Sequence, residues 1–156
     1  MAHDALIPTP LGRLGVVTDC GVLLRLDWLE KGPARWPRDG FARTVGEALT
    51  AWFEQPGELP ALPLAPAATA FQARVRAALQ AIPVGQTRTY GDLANELGSA
   101  PRAVGGACRT NPLPVIVPCH RVVARSGLGG YSGDWERGAA LCCKQRLLDL
   151  EADCRP

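Results

Sequence analysis

Residues 111–123 read NPLPVIVPCHRVV, and this stretch decides what the chain can be. An apolar run ends in Pro118 and leads without a spacer into Cys119, His120 and Arg121. Such a run predicts a buried β-strand, followed here by a thiol, an imidazole and a guanidinium. A thiol becomes a strong nucleophile when its surroundings favour the thiolate. The stretch is therefore typical of a reactive cysteine, although a lone cysteine–histidine pair is more often structural.

The acid that would complete such a site has to come from elsewhere in the chain. Adjacent side chains do not face each other in a strand. A direct contact between Cys119 and His120 is therefore awkward, and a bridging water is the more natural proton relay. The imidazole then needs an acceptor on its other nitrogen. Glu151, on the last predicted helix, is the best-placed acid in the sequence.

The composition favours a globular protein with a real core. The chain has 156 residues, of which 47% are hydrophobic and 21% charged, enough for one domain or two small ones. The first ten residues, MAHDALIPTP, do not predict a signal peptide. No apolar stretch approaches the roughly 20 residues of a membrane span. We therefore expect a cytoplasmic protein.

The cysteine pattern argues against metal and disulfide sites. None of the six cysteines stands in a CxxC pair, and the chain has only two histidines, so the sequence predicts neither a metal site nor a cofactor. A reducing cytoplasm does not favour disulfides. The six cysteines are Cys20, Cys108, Cys119, Cys142, Cys143 and Cys154.

The chain predicts two parts joined by a linker. LGRLGVVTD and GVLLRLDWL are two short apolar runs around Asp19-Cys20-Gly21, which is a hairpin signal. A helix is expected from Phe41 to Phe53, with Val45, Leu49 and Trp52 on one face. The Pro- and Ala-rich segment that follows favours extended chain. We assign residues 1–60 to an N-terminal domain of mainly structural role, 61–68 to the linker and 69–156 to the functional domain.

The second part predicts a series of helices with recognisable start signals. Phe71, Val75, Leu79 and Ile82 form one apolar stripe, and a final helix is expected from Ala139 to Glu151. The start signals are Thr69 with Gln72, Thr89 with Asp92, and Ser99 with Pro101. We expect an α/β protein in the α+β sense: a small sheet with one helix, then a mainly helical domain that contains a helix-turn-helix and the active-site strand.

The helix that begins near Pro101 has an unusual face. Arg102, Gly105, Gly106 and Arg109 share it, so two cations flank a surface without side chains. Glycine inside a helix costs about 1 kcal/mol relative to alanine, and close approach of another backbone is the usual reason. The pattern fits either tight helix packing or nucleic-acid binding. Residues 71–125, with seven arginines and two acids, favour a polyanionic partner.

Most of residues 69–151 resemble the O6-alkylguanine-DNA alkyltransferases, the methylated-DNA–protein-cysteine methyltransferases. NPLPVIVPCHRVV resembles their active-site signature, and PRAVGGACRTNP their DNA-recognition helix and asparagine hinge. FQARVRAALQAIPVGQTRTYGDLA, GLGGYSG and LLDLE follow the family's order. Residues 1–60 match only loosely. The segment between Ser132 and Lys144 is longer than in many relatives, which leaves the pocket shape open.

The resemblance implies a suicidal transferase that acts in DNA repair. Cys119 would take a methyl or larger alkyl group from O6 of guanine in duplex DNA, and the same chemistry would extend to O4-alkylthymine. His120 would act as base through a water, with Glu151 polarising the imidazole. Tyr90 would donate to the departing guanine, and Asn111 would hold the turn. The protein would act as a monomer, without cofactor or membrane.

The resemblance also implies two groups of binding residues. Arg102 would enter the base stack in place of a flipped nucleotide, and the small face would press on the minor groove. The DNA-binding set is Tyr90, Arg102, Ala103, Gly105, Gly106 and Arg109. The substrate pocket is Pro118, Val122, Val123, Tyr131, Ser132, Gly133 and Lys144.

Three other functions remain possible at this point. A non-catalytic damage binder of the alkyltransferase-like type would lack the cysteine that is present here at Cys119. A helix-turn-helix regulator would explain Arg102 and Arg109 but not the PCHR segment. A cysteine hydrolase would need an oxyanion hole, and repeated turnover of a peptide or thioester would identify it.

Overall fold

The computed structural model describes residues 3–29, 32–38, 40–125, 127 and 137–153, with backbone only for 137–142. The chain divides into two compact units, Met1–Ala65 and Pro66–Pro156. The first combines a small sheet with one helix, and the second is mainly helical. The predicted α+β architecture is confirmed.

The first unit is built on a three-stranded antiparallel sheet. Its strands are β1 (Ala5–Thr9), β2 (Gly12–Asp19) and β3 (Val22–Leu29), in that order across the sheet. The predicted hairpin is confirmed, and Cys20 and Gly21 turn it with φ of 50° and 77°. The sequence analysis missed β1, whose short sequence ALIPT contains a proline; proline is tolerated there because β1 lies at the edge of the described sheet.

One helix completes the core of the first unit. Helix α1 (Phe41–Glu54) buries the predicted stripe of Val45, Leu49 and Trp52. Gly46 lies tightly against β1, because a Cβ there would stand 2.7 Å from Cδ1 of Ile7. The Pro-rich segment that follows is extended and forms a parallel bridge between Leu64 and Leu23 of β3.

In its described residues the second unit has four α-helices, a single 3-10 turn and one pair of very short strands. The strands are parallel, with Arg88 opposite Val122 and Thr89 opposite Val123. The elements are α2 (Ala70–Gln80), β4 (Arg88–Thr89), α3 (Tyr90–Leu97), α4 (Pro101–Arg109), β5 (Val122–Val123) and α5 (Arg137–Ala152). Pairing between segments more than 30 residues apart leaves no local sequence signal, so this strand pair was not predicted.

The predicted helix starts are confirmed in two places and wrong in one. Thr69 Oγ1 accepts from the Gln72 amide nitrogen at 3.0 Å, and Thr89 and Asp92 form a complete capping box. Ser99 does not cap α4. Its backbone N–H instead donates to Ala94 O at 2.8 Å, which closes the end of α3 after Gly98 in the left-handed conformation. The N-cap of α4 is the following residue, without a side-chain cap bond.

The expected active-site strand is a series of turns. Residues 114–116 are hydrogen-bonded turn, and Cys119–Arg121 form a single 3-10 turn that leads into β5. Three prolines between residues 112 and 118 remove the backbone donors that a strand needs. Val115 has φ of 72°, an uncommon conformation for a β-branched residue that reverses the chain here.

Candidate active site

The β4–β5 pair connects the segment that leads into α3 with the segment that follows the PCHR turn. Strand β4 runs directly into α3, whose first residue is Tyr90, and β5 begins directly after Arg121. Because the two strands pair in parallel, Tyr90 and the Cys119–Arg121 turn lie toward opposite ends of the pair. The pair therefore joins the two parts of the sequence that carry the expected chemistry without setting them side by side.

The turn buries all three of its side chains. Cys119 is 2% exposed and His120 is 0% exposed. His120 Nε2 lies 2.9 Å from Glu151 Oε1, and that carboxylate is itself only 1% exposed. The pairing of His120 with Glu151, expected from the sequence, is present in the structure. It joins the thiol-bearing turn to α5 across 31 residues.

Arg121 is the residue of this site that the sequence analysis did not assign. Its Nε donates to Glu151 Oε2 at 2.8 Å, and its Nη2 lies 2.6 Å from the same oxygen. Its Nη1 donates to the backbone oxygen of Ile82, at the end of α2, at 2.6 Å. The guanidinium thus connects three segments. Its position directly after the cysteine–histidine pair was the available signal.

Burial keeps the imidazole neutral by lowering its pKa, and hydrogen bonds keep the carboxylate ionised. Burial lowers the pKa of His120, while the hydrogen bond and charge of Glu151 oppose that shift without cancelling it. Burial alone would raise the pKa of Glu151, but the hydrogen bonds from His120 and Arg121 hold it below its ordinary value. A neutral imidazole beside an anion can accept a proton, as a general base must.

Asn111 closes the turn that precedes the cysteine. Its Nδ2 donates to Val117 O at 2.9 Å, and its Oδ1 accepts from the Leu113 amide at 3.0 Å. The same Val117 oxygen accepts from the Cys119 amide at 2.8 Å. One amide side chain therefore fixes both the reversal at Val115 and the backbone of the thiol.

Lys144 reaches the site from α5. The side chain is fully buried, its Nζ donates to Tyr90 Oη at 3.3 Å, and it lies 5.5 Å from the centre of the Tyr90 ring. Burial lowers the pKa of Lys144 to about 8, against the opposing charges of Cys119 and Cys108. Lys144 thus contacts Tyr90, while its place in the substrate pocket stays a prediction.

The outer face of α4 is open and cationic. Arg102 and Arg109 are exposed, and a Cβ at Gly105 or Gly106 would meet no atom within 4 Å among the described residues. Close helix packing therefore does not explain these glycines. Ala103 is also exposed on this helix. The face has the shape and charge that the nucleic-acid interpretation requires.

The remaining residues of the expected pocket divide into two groups. Pro118 and Val122 are buried and Val123 is half-buried, all next to the cysteine turn. Tyr131, Ser132 and Gly133 lie outside the described residues, as do residues 134–136 of the longer segment before Lys144.

The described residues show neither a metal-binding cluster nor a membrane-spanning helix. No group of three or more histidine, cysteine or acidic side chains is arranged there to hold a metal ion. None of the helices described has the length and hydropathy of a membrane span.

Comparison with known proteins identifies relatives of the whole chain. The family model described as 6-O-methylguanine DNA methyltransferase, DNA binding domain, matches residues 70–153. The methylated-DNA–protein-cysteine methyltransferase of Mycobacterium bovis is 40% identical over 166 residues, 100% of this chain and 96% of its own. That of Methanosarcina acetivorans is 37% identical over 163 residues, with 97% and 99% covered.

Solved structures agree with these matches. The Mycobacterium tuberculosis O6-methylguanine methyltransferase superposes with a TM-score of 0.80 at 35% identity, over 100% of this chain and 96% of that one. The structure of M. tuberculosis OGT in complex with DNA gives 0.79 at 38% identity, over 97% and 93%. With relatives matched along nearly the full length of both chains, this chain belongs to the methylated-DNA–protein-cysteine methyltransferase family.

Proposed function

We propose that this protein repairs DNA by moving an alkyl group from O6 of guanine to the sulfur of Cys119. The observation that carries the proposal is the buried thiol beside the His120–Glu151–Arg121 network, in a chain of this family. The product is a thioether, which has no easy leaving route. Each molecule therefore reacts once and is consumed.

The reaction is a displacement at the alkyl carbon. The Cys119 thiol gives its proton to His120 through a water, the sulfur bonds to the alkyl carbon, and the bond from that carbon to O6 breaks. Guanine is a poor leaving group as an anion, so Tyr90 donates a proton to it. Lys144, 3.3 Å from the Tyr90 oxygen, is placed to resupply that proton and to favour the ionised thiol.

The buried network prepares the base for this step. Glu151 orients the imidazole and stabilises the cation that forms on it, and Arg121 keeps the carboxylate ionised. Asn111 holds the thiol's backbone in place through the Val117 carbonyl. Since these groups are already positioned, little reorganisation is needed during transfer.

The open face of α4 binds the minor groove of DNA. The target base must leave the stack to reach a buried thiol, and Arg102 fills the gap because it is long, planar and cationic. Arg109 contacts phosphate, while Ala103, Gly105 and Gly106 allow the sugar–phosphate backbone to approach closely. The flipped base enters beside Pro118, Val122 and Val123, and Tyr131, Ser132 and Gly133 complete the pocket. The protein works in the cytoplasm, on chromosomal DNA, as a monomer.

The test is mass spectrometry after mixing the protein with duplex DNA that carries one O6-methylguanine. Trypsin cleavage releases Thr110–Arg121, a peptide whose single cysteine is Cys119. We expect one added methyl on this peptide and no more than one per protein molecule. Unmodified protein that still binds the lesion would instead identify a non-catalytic damage binder.

The Cys119→Ala variant is the control for this experiment. It removes the acceptor sulfur but leaves α4 unchanged, so we expect transfer to be lost and binding to the damaged duplex to be retained. Loss of binding together with transfer would show that Cys119 has a structural role.

A further inference from the structure

A second buried thiol, Cys108, has no role in the proposed transfer. Cys108 is 4% exposed and lies on the inner side of α4, on the same face as the buried Val104. The arginines of this helix point the other way, toward solvent. The helix that is proposed to bind DNA therefore carries a thiol toward the interior of the second unit.

The hydrogen bonds of the intervening turn fold Cys108 and Cys119 back toward each other. The backbone oxygen of Cys108 accepts from the Asn111 amide at 3.2 Å. Asn111 Nδ2 and the Cys119 amide then donate to the same oxygen, that of Val117, at 2.9 and 2.8 Å. The end of α4 and the start of the thiol turn therefore meet at a single carbonyl group.

Lys144 interacts electrostatically with both thiols. Burial raises the pKa of Cys108 to about 12, with a further contribution from the Cys119 thiolate and an opposing one from Lys144. The Lys144 ammonium in turn interacts with both thiols. The thiol–amine cluster consists of Cys108, Cys119 and Lys144. Within it Cys108 stays protonated, so it does not compete with Cys119 for an alkyl group.

We propose that Cys108 is the resolving thiol of Cys119: when a peroxide oxidises Cys119, Cys108 closes an internal disulfide with it. The two cysteines are 11 positions apart in sequence, both buried, and joined through the Asn111 turn. The site is a modification site that uses the reactive sulfur of the repair reaction for a different chemistry.

The chemistry balances with hydrogen peroxide as the oxidant. The Cys119 sulfur attacks one peroxide oxygen, the O–O bond breaks, and the other oxygen leaves as water after taking a proton, giving a sulfenic acid. The Cys108 sulfur then attacks the oxidised sulfur. An S–S bond forms, the S–O bond breaks, and the hydroxyl leaves as a second water with the Cys108 proton, which passes through the amine of Lys144. Two thiols are oxidised and one peroxide is reduced to two waters.

The disulfide would preserve a protein that can act only once. Further oxidation of a sulfenic acid to a sulfinic acid is irreversible for most proteins. A disulfide is returned to two thiols by a dithiol reductant. Closing the Cys108–Cys119 bond would thus keep the alkyl acceptor recoverable during oxidative stress. This consequence rests on the proposed function, whereas the disulfide itself does not.

The test is a non-reducing tryptic map of the full-length protein after treatment with hydrogen peroxide. Cleavage after Arg102, Arg109 and Arg121 places Cys108 in residues 103–109 and Cys119 in residues 110–121, with one cysteine in each. We expect the two peptides to appear joined, two hydrogens lighter than their sum, and separate after dithiothreitol. Sulfinic acid on Cys119 without this link, or a link to Cys143, would overturn the proposal.

Two variants complete the test. Cys108→Ser should transfer methyl normally before treatment, but after peroxide and then dithiothreitol it should fail to regain transfer, whereas the native protein regains it. Cys143→Ser, which removes another buried thiol on α5, should behave as the native protein. Equal recovery of native and Cys108→Ser proteins would contradict the proposal. The peptide map needs no alkylated DNA, so its failure is distinguishable from failure of the proposed function.

Discussion

Glu151 shows how one carboxylate can serve chemistry and stability together. It is shared by His120 and Arg121, and all three side chains are buried. Removing one partner of a buried ionic network leaves the others without compensation, which is more costly than losing an exposed pair. Glu151 therefore has both a positioning role and a structural one, and the two can be separated experimentally.

Glu151→Gln tests this double role. The amide keeps the shape but loses the charge, so we expect the free energy of unfolding to fall by about 3–5 kcal/mol. The rate of transfer should fall with it, since the imidazole loses its anion. Denaturation and single-turnover kinetics on folded protein measure the two effects.

Asp149→Asn is the matched control for Glu151→Gln. Asp149 lies on the same helix and is exposed, and its carboxylate accepts from Gln145 Nε2 at 2.9 Å. The same chemical change should leave both stability and rate nearly unaltered. Similar losses in both variants would mean that α5 as a whole, and not the Glu151 network, controls the rate.

From the lowered pKa of Lys144 we expect transfer to be lost at alkaline pH. Its pKa in the folded protein is about 8, below its ordinary value of 10.5, because the ammonium is buried. The cation is present below pH 8 and is lost as the pH rises through that value. The single-turnover rate should therefore fall between about pH 7 and 9, as measured on a duplex substrate. A flat profile would remove the cation from the mechanism.

Lys144→Met separates the cost of burying the lysine for stability from its contribution to the rate of transfer. Between pH 8 and 10.5 the unfolded chain binds more protons at Lys144 than the folded one, so the lysine's unfavourable contribution to stability shrinks as the pH rises. At pH 7 the methionine variant should thus be more stable than the native protein, by on the order of 1 kcal/mol or more, and slower in transfer. Loss of stability in the variant would contradict this account.

At the scale of the element, α4 carries an apparent defect that DNA binding would explain. Two adjacent glycines weaken the helix, and no described protein atom occupies the space beside them. Gly105→Ala should raise the free energy of unfolding by up to about 1 kcal/mol. The new methyl group should also lower DNA affinity, by roughly tenfold if it costs about 1.4 kcal/mol at the interface. Denaturation and DNA-binding titrations measure the two.

Gly46→Ala is the matched control for that substitution. Gly46 is also inside a helix, but a Cβ there would stand 2.7 Å from both Ile7 Cδ1 and Trp36 Cζ3. The same change should therefore destabilise the protein, by about 1–3 kcal/mol for overpacking. If the free energy of unfolding rises for Gly105→Ala and falls for Gly46→Ala, Gly105 lies at an interface and Gly46 in internal packing. A fall for both variants would show that Gly105 is also needed for packing.

Arg102→Ala tests the flipping role of the same helix. If Arg102 replaces an extruded nucleotide, its loss should slow transfer from duplex DNA much more than from free O6-methylguanine base, which needs no flipping. Single-turnover rates on the two substrates give the comparison. Equal slowing on both would remove Arg102 from this role.

The elements also show which features a sequence can predict. Helices α1, α2 and α3 followed local signals, namely apolar stripes and capping pairs, and their structures agree. The strand expected before Cys119 was wrong because apolar content was weighed above three prolines. The β4–β5 pair and the Arg121 contacts join segments 30 or more residues apart, and such pairings have no local pattern. The Glu151 partner was expected from its place on the last predicted helix and from the family resemblance.

For the whole molecule, the described site residues belong to a single unit. Cys119, His120, Tyr90, Lys144 and Glu151 all lie in Pro66–Pro156. The structural role assigned to the first unit stays a prediction, and Leu49 offers a test of it. Leu49→Ala should cost about 2–5 kcal/mol of stability as a buried truncation, while transfer per folded molecule stays unchanged.

Leu147→Ala is the matched control in the second unit. Leu147 is equally buried, on the helix that carries Lys144 and Glu151. The same truncation should lower stability by a similar amount. It should also slow transfer, because it disturbs the packing that positions Lys144 and Glu151. Calorimetry with methyl incorporation per folded protein distinguishes the variants. A slowed Leu49→Ala protein would assign the first unit a part in catalysis.

The shared carboxylate has a further consequence for synthesis of the protein. The thiol at position 119 leaves the ribosome well before Glu151, yet its imidazole and guanidinium neighbours both bond to that later residue. A nascent chain that exposes Cys119 lacks the buried network that prepares it for attack. The protein can become reactive only after its last helix has emerged and docked. An acceptor that works once is thereby withheld until translation of the site is complete.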